Sequence, residues 1–97
     1  MIEITAMTDA HVPQIAELEK ICFPDPWSET DIAALISVSG AMCYSALSED
    51  GELYAYLLGR TIAPEGEIYR VATSPERRQR GIAFRLMTFA INVTVVL

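Results

Sequence analysis

Apolar and polar residues alternate at the start of the chain and then recur at helical spacing. The alternation in "IEITAM" (residues 2–7) predicts a short strand, after which Thr8 is suited to cap a helix. The apolar positions of this helix are Val12, Ile15, Ala16, Leu18 and Ile21. After the proline-rich loop "FPDPW", Ser28 is suited to cap a second helix, "SETDIAALISV", which Gly40 ends. The pattern up to Gly40 therefore predicts one strand followed by two helices.

Three runs with strand composition come next, and the turns between them predict an antiparallel meander. The runs are "AMCYSAL", "ELYAYLLGR" and "EIYRVAT", and "SEDG" and "TIAPEG" join them. The segment "IAFRLMTFAI" (residues 82–91) then has a helical pattern. The tail "NVTVVL" (residues 92–97) is β-branched and apolar, which favours a strand, although no Gly or Pro separates it from the helix. The element order predicts an α/β (α+β) fold in one domain, residues 1–97.

Composition restricts the class of protein. A chain of 97 residues supports one domain with a modest core, and 52% hydrophobic with 21% charged residues is typical of a globular protein. Thirteen acidic and seven basic residues give a formal net charge of −6, which argues against a general nucleic-acid binder.

Cysteine and histidine usage predicts neither a disulfide framework nor a metal site. Cys22 and Cys43 lie beside apolar residues, so we expect buried reduced thiols. His11 is expected at the surface, without the partners that a metal ligand needs. The N-terminus lacks a signal peptide, and the uncharged stretch 32–48 is short and interrupted for a membrane span. These features predict a soluble, cytoplasmic protein with no membrane contact.

Positive charge is concentrated in one segment, which runs from the last meander strand into the helix. Five of the seven basic residues lie between positions 70 and 85, namely Arg70, Arg77, Arg78, Arg80 and Arg85. Free backbone amides at the start of a helix bind phosphate, Gly81 lets an anion approach the backbone, and arginines add charged donors. We therefore expect a compact polyphosphate ligand, although a solvated arginine-rich loop is the alternative interpretation. Neither a P-loop motif nor GxGxxG is present.

Two motifs carry a resemblance to a known family. The segment "RVATSPERRQRGIAFR" (residues 70–85) resembles the acetyl-coenzyme A signature [Q/R]-x-x-G-x-[G/A] of the GNAT superfamily of N-acetyltransferases. The segment "MIEITAMTDAHVPQIAELEKICFPDPWSE" (residues 1–29) is similar to the start of ribosomal-protein-alanine N-acetyltransferases. The resemblance implies a mixed, mainly antiparallel sheet flanked by helices and lacking the C-terminal strands, so that residues 1–97 are a single, partial N-acetyltransferase domain. It also implies acetyl-CoA as cosubstrate and a protein N-terminal amine, such as that of a ribosomal protein, as acceptor.

The resemblance also implies a set of site residues. Backbone groups of Val71, Ala72 and Thr73 would pair with the pantetheine arm, and amides from Gln79 to Phe84 would hold the pyrophosphate. The implied cofactor-binding residues are Val71, Ala72, Thr73, Arg78, Gln79, Arg80, Gly81, Ile82, Ala83 and Phe84. Phe23 and Trp27 would line the groove for the peptide amine, and the alternative for Trp27 is a core position.

No catalytic residue is assigned from the sequence. In the resembling enzymes the general base is a glutamate on the next strand and the general acid is a later tyrosine, and neither has a counterpart before Leu97. Glu65, Glu67 and Tyr69 are interpreted as solvated or half-buried side chains. The alternative function is therefore a truncated, non-catalytic module that binds coenzyme A or a partner. If the tail forms a strand, its open edge predicts a tendency to dimerise.

Overall fold

The computed structural model of the protein describes residues 1–62 and 64–95. In that part of the chain, short strands and helices follow one another in the order that the sequence predicts. The elements are β1 (Glu3–Ala6), α1 (Val12–Cys22), α2 (Glu29–Ser37), β2 (Tyr44–Leu47), β3 (Leu53–Ile62), β4 (Glu65–Thr73) and α3 (Ile82–Val95). Single 3-10 turns precede α1 and α3, at Asp9–His11 and Pro75–Arg77.

The strands form a single antiparallel sheet in the order β1-β2-β3-β4. The meander β2-β3-β4 that the turns predict is therefore confirmed. The N-terminal strand completes the sheet at the other side of β2, where Glu3 lies opposite Leu47. Among the described residues β4 pairs only with β3, so its second side is an open edge.

Helices cover both faces of this sheet, because β3 is apolar on both of its faces. Tyr56 and Leu58 face α1 and α2, where they are fully buried with Ile15 and Ile32. Leu57 faces the other way, and it packs with Ala46, Ala55, Ile82, Leu86 and Ala90 under α3. The mixed α/β fold that was predicted is confirmed. No helix among residues 1–62 and 64–95 has the length and apolar character needed to cross a bilayer.

The helix starts follow the predicted capping residues with one difference. The Ser28 hydroxyl accepts a hydrogen bond from the Asp31 amide at 3.1 Å, as an N-cap does. After Thr8, however, a 3-10 turn comes before α1, and the Thr8 amide donates to His11 Nδ1 at 3.1 Å. The same ring nitrogen lies 3.2 Å from the hydroxyl of the fully buried Ser45, so His11 is half-buried and tied to β2. The expectation of a surface histidine is therefore met only in part.

The predicted strand in the tail is wrong for residues 92–95, which continue α3 up to Val95. Val96 and Leu97 lie outside the described residues. Extending an existing helix adds one hydrogen bond per residue, and this outweighs the few tenths of a kcal/mol, roughly, by which Val and Thr disfavour helix. The argument for dimerisation through a tail strand is lost with that strand.

Both cysteines are free thiols, as predicted. Cys43 is buried, and burial raises the pKa of its thiol. Cys22, the last residue of α1, is only half-buried. The expectation of burial is therefore met fully at Cys43 alone.

Candidate functional site

A β-bulge bends β4 near its middle. Gly59 pairs with Ile68 and Leu58 pairs with Arg70, so Tyr69 is an extra residue on β4 without a partner on β3. Gly59 permits the close approach, because a β carbon there would lie 2.5 Å from the Glu67 carbonyl oxygen. The bulge fixes the direction in which the rest of β4 runs.

Beyond the bulge, alternate backbone groups of β4 face its open edge. The Ser74 amide donates to the Tyr54 carbonyl at 2.8 Å, and Ala72 lies opposite Tyr56. Because hydrogen-bonded pairs alternate in an antiparallel ladder, Ala72 also bonds to β3, whereas Val71 and Thr73 direct their N–H and C=O groups outward. The expectation that Ala72 offers its backbone to a ligand is therefore corrected.

The loop after β4 ends in a row of unused amides. The first hydrogen bond of α3 runs from the Arg85 amide to the Gly81 carbonyl at 3.0 Å. Among the described residues, the amides of residues 79–84 have no acceptor. Gln79 and Gly81 have left-handed backbones, with φ of 66° and 75°. For Gln79 this conformation is unusual, and successive amides arranged in this way form a concave site for anions.

A groove of about 430 Å³ joins this amide row to the open edge of β4. It is lined by Cys22, Phe23, Val71, Ala72, Thr73, Arg77, Arg78, Gln79, Gly81, Ile82, Ala83 and Phe84. The structure thus brings together all the cofactor-binding residues expected from the sequence except Arg80, and it adds Phe23. Cys22 and Arg77 also line the groove and were not assigned from the sequence. Cys22 had an available signal, since it directly precedes the assigned Phe23.

Trp27 lies away from this groove. Its ring stacks on Tyr69 at 6.0 Å between centroids, and it lines a separate pocket with Asp25 and Asp31. Trp27 is half-buried against the core under α1 and α2. The two aromatic residues that the sequence groups together therefore lie on different sides of the α1–α2 loop (residues 23–28).

Most arginines of the basic segment contact the protein itself. The Arg78 Nε donates to the Thr73 carbonyl at 3.2 Å, and its Nη2 lies 3.5 Å from Cys22 Sγ. The Arg77 guanidinium stacks over Tyr54, 4.3 Å from the ring centroid. Arg70 and Arg85 also have protein partners. Of the five, only Arg80 has no partner within the part of the chain that the structure describes, and the expected role of the loop arginines as charged donors to a ligand stays a prediction.

Glu19 is a buried charged residue that the sequence interpretation missed. Its side chain is fully buried in α1, where Oε1 accepts from the Trp27 amide at 2.8 Å and Oε2 accepts from the Tyr56 hydroxyl. Burial, and next the hydrogen bond to this carboxylate, raises the pKa of Tyr56. A signal was present in the sequence, because Glu19 follows Ile15 by four residues on the apolar side of the helix.

Comparisons with known proteins agree with this geometry. The model of the acetyltransferase (GNAT) family matches residues 12–94. No curated protein sequence matches the chain. Among solved structures, the chain is similar to the ribosomal-protein-S18-alanine N-acetyltransferase from Escherichia coli, with 18% identity and a TM-score of 0.85. The match covers 97% of this chain and 59% of that one, so this chain spans less than two thirds of that enzyme's length.

Two further structures have the same fold. One is the PaiA N-acetyltransferase from Thermoplasma acidophilum in complex with coenzyme A, with 16% identity, a TM-score of 0.80 and coverage of 97% and 72%. The other is the aminoglycoside 6'-N-acetyltransferase AAC(6')-Ih from Acinetobacter baumannii, with 16% identity, a TM-score of 0.79 and coverage of 96% and 70%. At these identities the structures establish the fold alone, and the family model adds the sequence evidence. The predicted family is confirmed: the chain belongs to the acetyltransferase (GNAT) family.

Proposed function

We propose that this chain provides the acetyl-CoA-binding part of an N-acetyltransferase that acts on the α-amine of a protein N-terminus. The observation that carries the proposal is the row of unused amides at residues 79–84, placed beside the open edge of β4. Such amides favour a diphosphate, and strand-edge groups favour the amides of an extended arm. Coenzyme A combines both chemical features.

Each part of the groove would hold one part of this cosubstrate. Amides of residues 79–84 would bind the pyrophosphate. Arg80, which does not line the groove itself, would add the charge of a side chain that has no partner in the described structure. The outward carbonyl of Val71 and the outward amide of Thr73 would pair with the pantetheine amides. Gly81 keeps this surface open, since no atom lies within 4 Å of the position that its β carbon would take. The PaiA structure, which contains coenzyme A, supports this choice of ligand.

The chemistry requires placement more than covalent catalysis. An uncharged amine attacks the thioester carbonyl, a C–N bond forms, and the C–S bond breaks as the thiolate leaves and takes up a proton. An α-amine has an ordinary pKa near 8, so it must lose a proton before attack. The outward amide of Val71 is the donor that we propose for the oxyanion of the tetrahedral intermediate.

The acceptor is the less constrained part of the proposal. Similarity to the S18-alanine enzyme favours a protein N-terminus, such as that of a ribosomal protein, whereas an aminoglycoside enzyme has the same fold. A cytoplasmic location stays a prediction from the sequence, whereas homodimerisation no longer has the tail strand as its argument.

A non-catalytic coenzyme A-binding module is the second candidate. One observation favours it: no carboxylate, imidazole or phenol lines the groove within residues 1–62 and 64–95. Glu65 and Glu67 are exposed on β4 and do not line the groove.

Calorimetric titration with coenzyme A tests the shared part of both candidates. We expect binding, and Arg80→Ala should weaken it by about three- to tenfold without changing the melting temperature, since Arg80 has no partner in the described structure.

Thiol release is then measured with acetyl-CoA and peptides that begin with Ala or Ser, and with an aminoglycoside. Peptide-dependent release supports the transferase, whereas binding without release supports the module. Absence of binding overturns both.

A further inference from the structure

One side chain of β4 holds the α1–α2 loop at several points. Arg70 Nη2 donates to the Asp25 carbonyl at 2.7 Å and to its carboxylate at 3.1 Å. The Arg70 guanidinium also lies 4.0 Å from the centroid of the Phe23 ring. Only 15% of the Arg70 side chain is exposed, whereas its partner Asp25 is 80% exposed at the surface of the loop. The loop is therefore attached to the strand through Arg70.

Glu19 holds this arginine and the far end of the loop together. Its Oε1 forms an ion pair with Arg70 Nε at 3.4 Å, and the same oxygen accepts from the Trp27 amide at 2.8 Å. Tyr56 donates to the other carboxylate oxygen. Since Glu19 is fully buried, its contacts lie beneath the loop, while the Asp25 end of the network lies at the surface.

The position of Arg70 on β4 connects this network to the groove. Arg70 lies directly between Tyr69, the bulge residue, and Val71, the first groove residue of β4. On one side of the loop Phe23 lines the groove, and on the other side Trp27 stacks on Tyr69. Any change in the Arg70 side chain would therefore shift the loop relative to the part of β4 where acetyl transfer would take place.

A charged network is an expensive way to stabilise a loop. Burying an ion pair has a desolvation penalty that often cancels its attraction, and apolar residues of equal volume would stabilise the fold as well. What the polar contacts add is geometry, because Arg70 Nη2 donates to two oxygens of Asp25 and Glu19 accepts from the Trp27 amide, and hydrogen bonds form only in few arrangements.

We propose that Arg70 and Glu19 are positioning residues, which fix the α1–α2 loop as the wall that places the acceptor amine against β4. This inference rests on the proposed transferase function and extends it to the acceptor side of the site. Neither residue would touch the reacting atoms, and both act through Phe23 and Trp27.

The loop carries its own reporter, since Trp27 is the only tryptophan in the sequence. Acrylamide quenching of Trp27 fluorescence is compared for the wild type, Arg70→Lys and Glu19→Gln. Arg60→Lys is the matched control, because Arg60 Nε donates to a backbone carbonyl, that of Ser39, outside the groove. We expect the quenching constant to rise about twofold or more in the first two variants alone, with unchanged far-ultraviolet circular dichroism.

Binding measurements then separate positioning from stability. Affinity is measured for coenzyme A and for a bisubstrate analogue in which coenzyme A is joined through an acetyl group to a short peptide. In Arg70→Lys, coenzyme A should bind within about twofold of the wild type, whereas the additional affinity from the peptide should fall about tenfold.

Each outcome decides one question. Unchanged quenching in Arg70→Lys overturns the loop anchor, and an unchanged peptide contribution overturns the positioning role. If the wild type does not bind coenzyme A, the proposed function and the acceptor role both fail, while quenching still decides the anchor. If Glu19→Gln does not fold, Arg70→Lys alone decides, because it retains the charge.

Discussion

The backbone of Gly59 faces the carbonyl oxygen of Glu67 so closely that a β carbon on Gly59 would lie 2.5 Å from it. Glu67 lies two residues before Tyr69, the extra residue of the bulge in β4. Real β carbons do not approach an oxygen so closely, and both residues belong to the ladder between β3 and β4. The path of β4 into the groove therefore depends on the absence of a side chain at Gly59.

Gly59→Ala should lower the free energy of unfolding by about 1–3 kcal/mol, because the backbone at the bulge must move to admit a methyl group. Gly66→Ala is the matched control in the same ladder, where the nearest atom to the new carbon is Met42 Sδ at 3.5 Å, an ordinary contact. Urea denaturation measures both variants. Equal stability of the two would show that the bulge does not need Gly59.

Gly81→Ala should weaken coenzyme A binding about tenfold, since the methyl group would project into the groove beside the unused amides. Gly51→Ala provides the control, because both glycines have a left-handed backbone, with φ of 75° and 84°, and open space around them. Each substitution should cost about 1–2 kcal/mol of stability from backbone strain. Calorimetric titration distinguishes them, and equal affinities would argue against a ligand at Gly81.

The two cysteines should differ in reactivity with N-ethylmaleimide. Cys22 is half-buried and lines the groove, whereas Cys43 is buried and its burial raises the pKa of the thiol. Since the thiolate is the reactive form, Cys22 should be modified first, and coenzyme A should slow its modification. Mass spectrometry of the digested protein gives both rates. Protection of Cys43 instead of Cys22, or equal rates, would contradict the position of the groove.

Alkaline pH should destabilise the protein through Tyr56. Burial and the Glu19 hydrogen bond raise the pKa of Tyr56 above its ordinary value of 10.0, so the folded state retains a proton that the unfolded chain releases. This stability is complete below about pH 10 and is lost as the pH rises toward the folded-state pKa, by up to about 1.4 kcal/mol per pH unit. In Tyr56→Phe the free energy of unfolding should be lower at neutral pH, because Glu19 loses a donor, but it should fall less steeply above about pH 10.

Urea denaturation from about pH 8 to about pH 11 measures these slopes. The raised pKa of Cys43 also lowers the free energy of unfolding at alkaline pH, in both the wild type and Tyr56→Phe, starting near the ordinary thiol pKa of 9.0. The comparison with Tyr56→Phe cancels that contribution. Parallel curves would rule out Tyr56 as the source.

Local signals predicted most of the fold. Ser28 caps its helix, the three runs of strand composition form the meander, and α3 starts directly after Gly81. The tail was mispredicted because the preference of β-branched residues for strands depends on their surroundings. Residues 92–95 follow a helix that Leu86 and Ala90 already anchor to the core, and they extend it.

The candidate site was predicted less completely, because contacts between distant segments decide it. The resemblance to the GNAT superfamily implied the amides of residues 79–84, but a sequence cannot tell a free arginine from one that is bound elsewhere. Arg77 stacks on Tyr54 and Arg78 bonds to Thr73, and these partners are brought close only by the folded sheet. Glu19 was missed for the same reason, since Tyr56 and Arg70 are far away along the chain.

The internal use of the arginines has a consequence for how a ligand would be held. Arg78 bonds to a backbone carbonyl and contacts a thiol, so its position is fixed while its charge stays uncompensated beside the groove. A diphosphate would meet this charge together with fixed backbone dipoles, so we expect affinity to fall as the ionic strength rises.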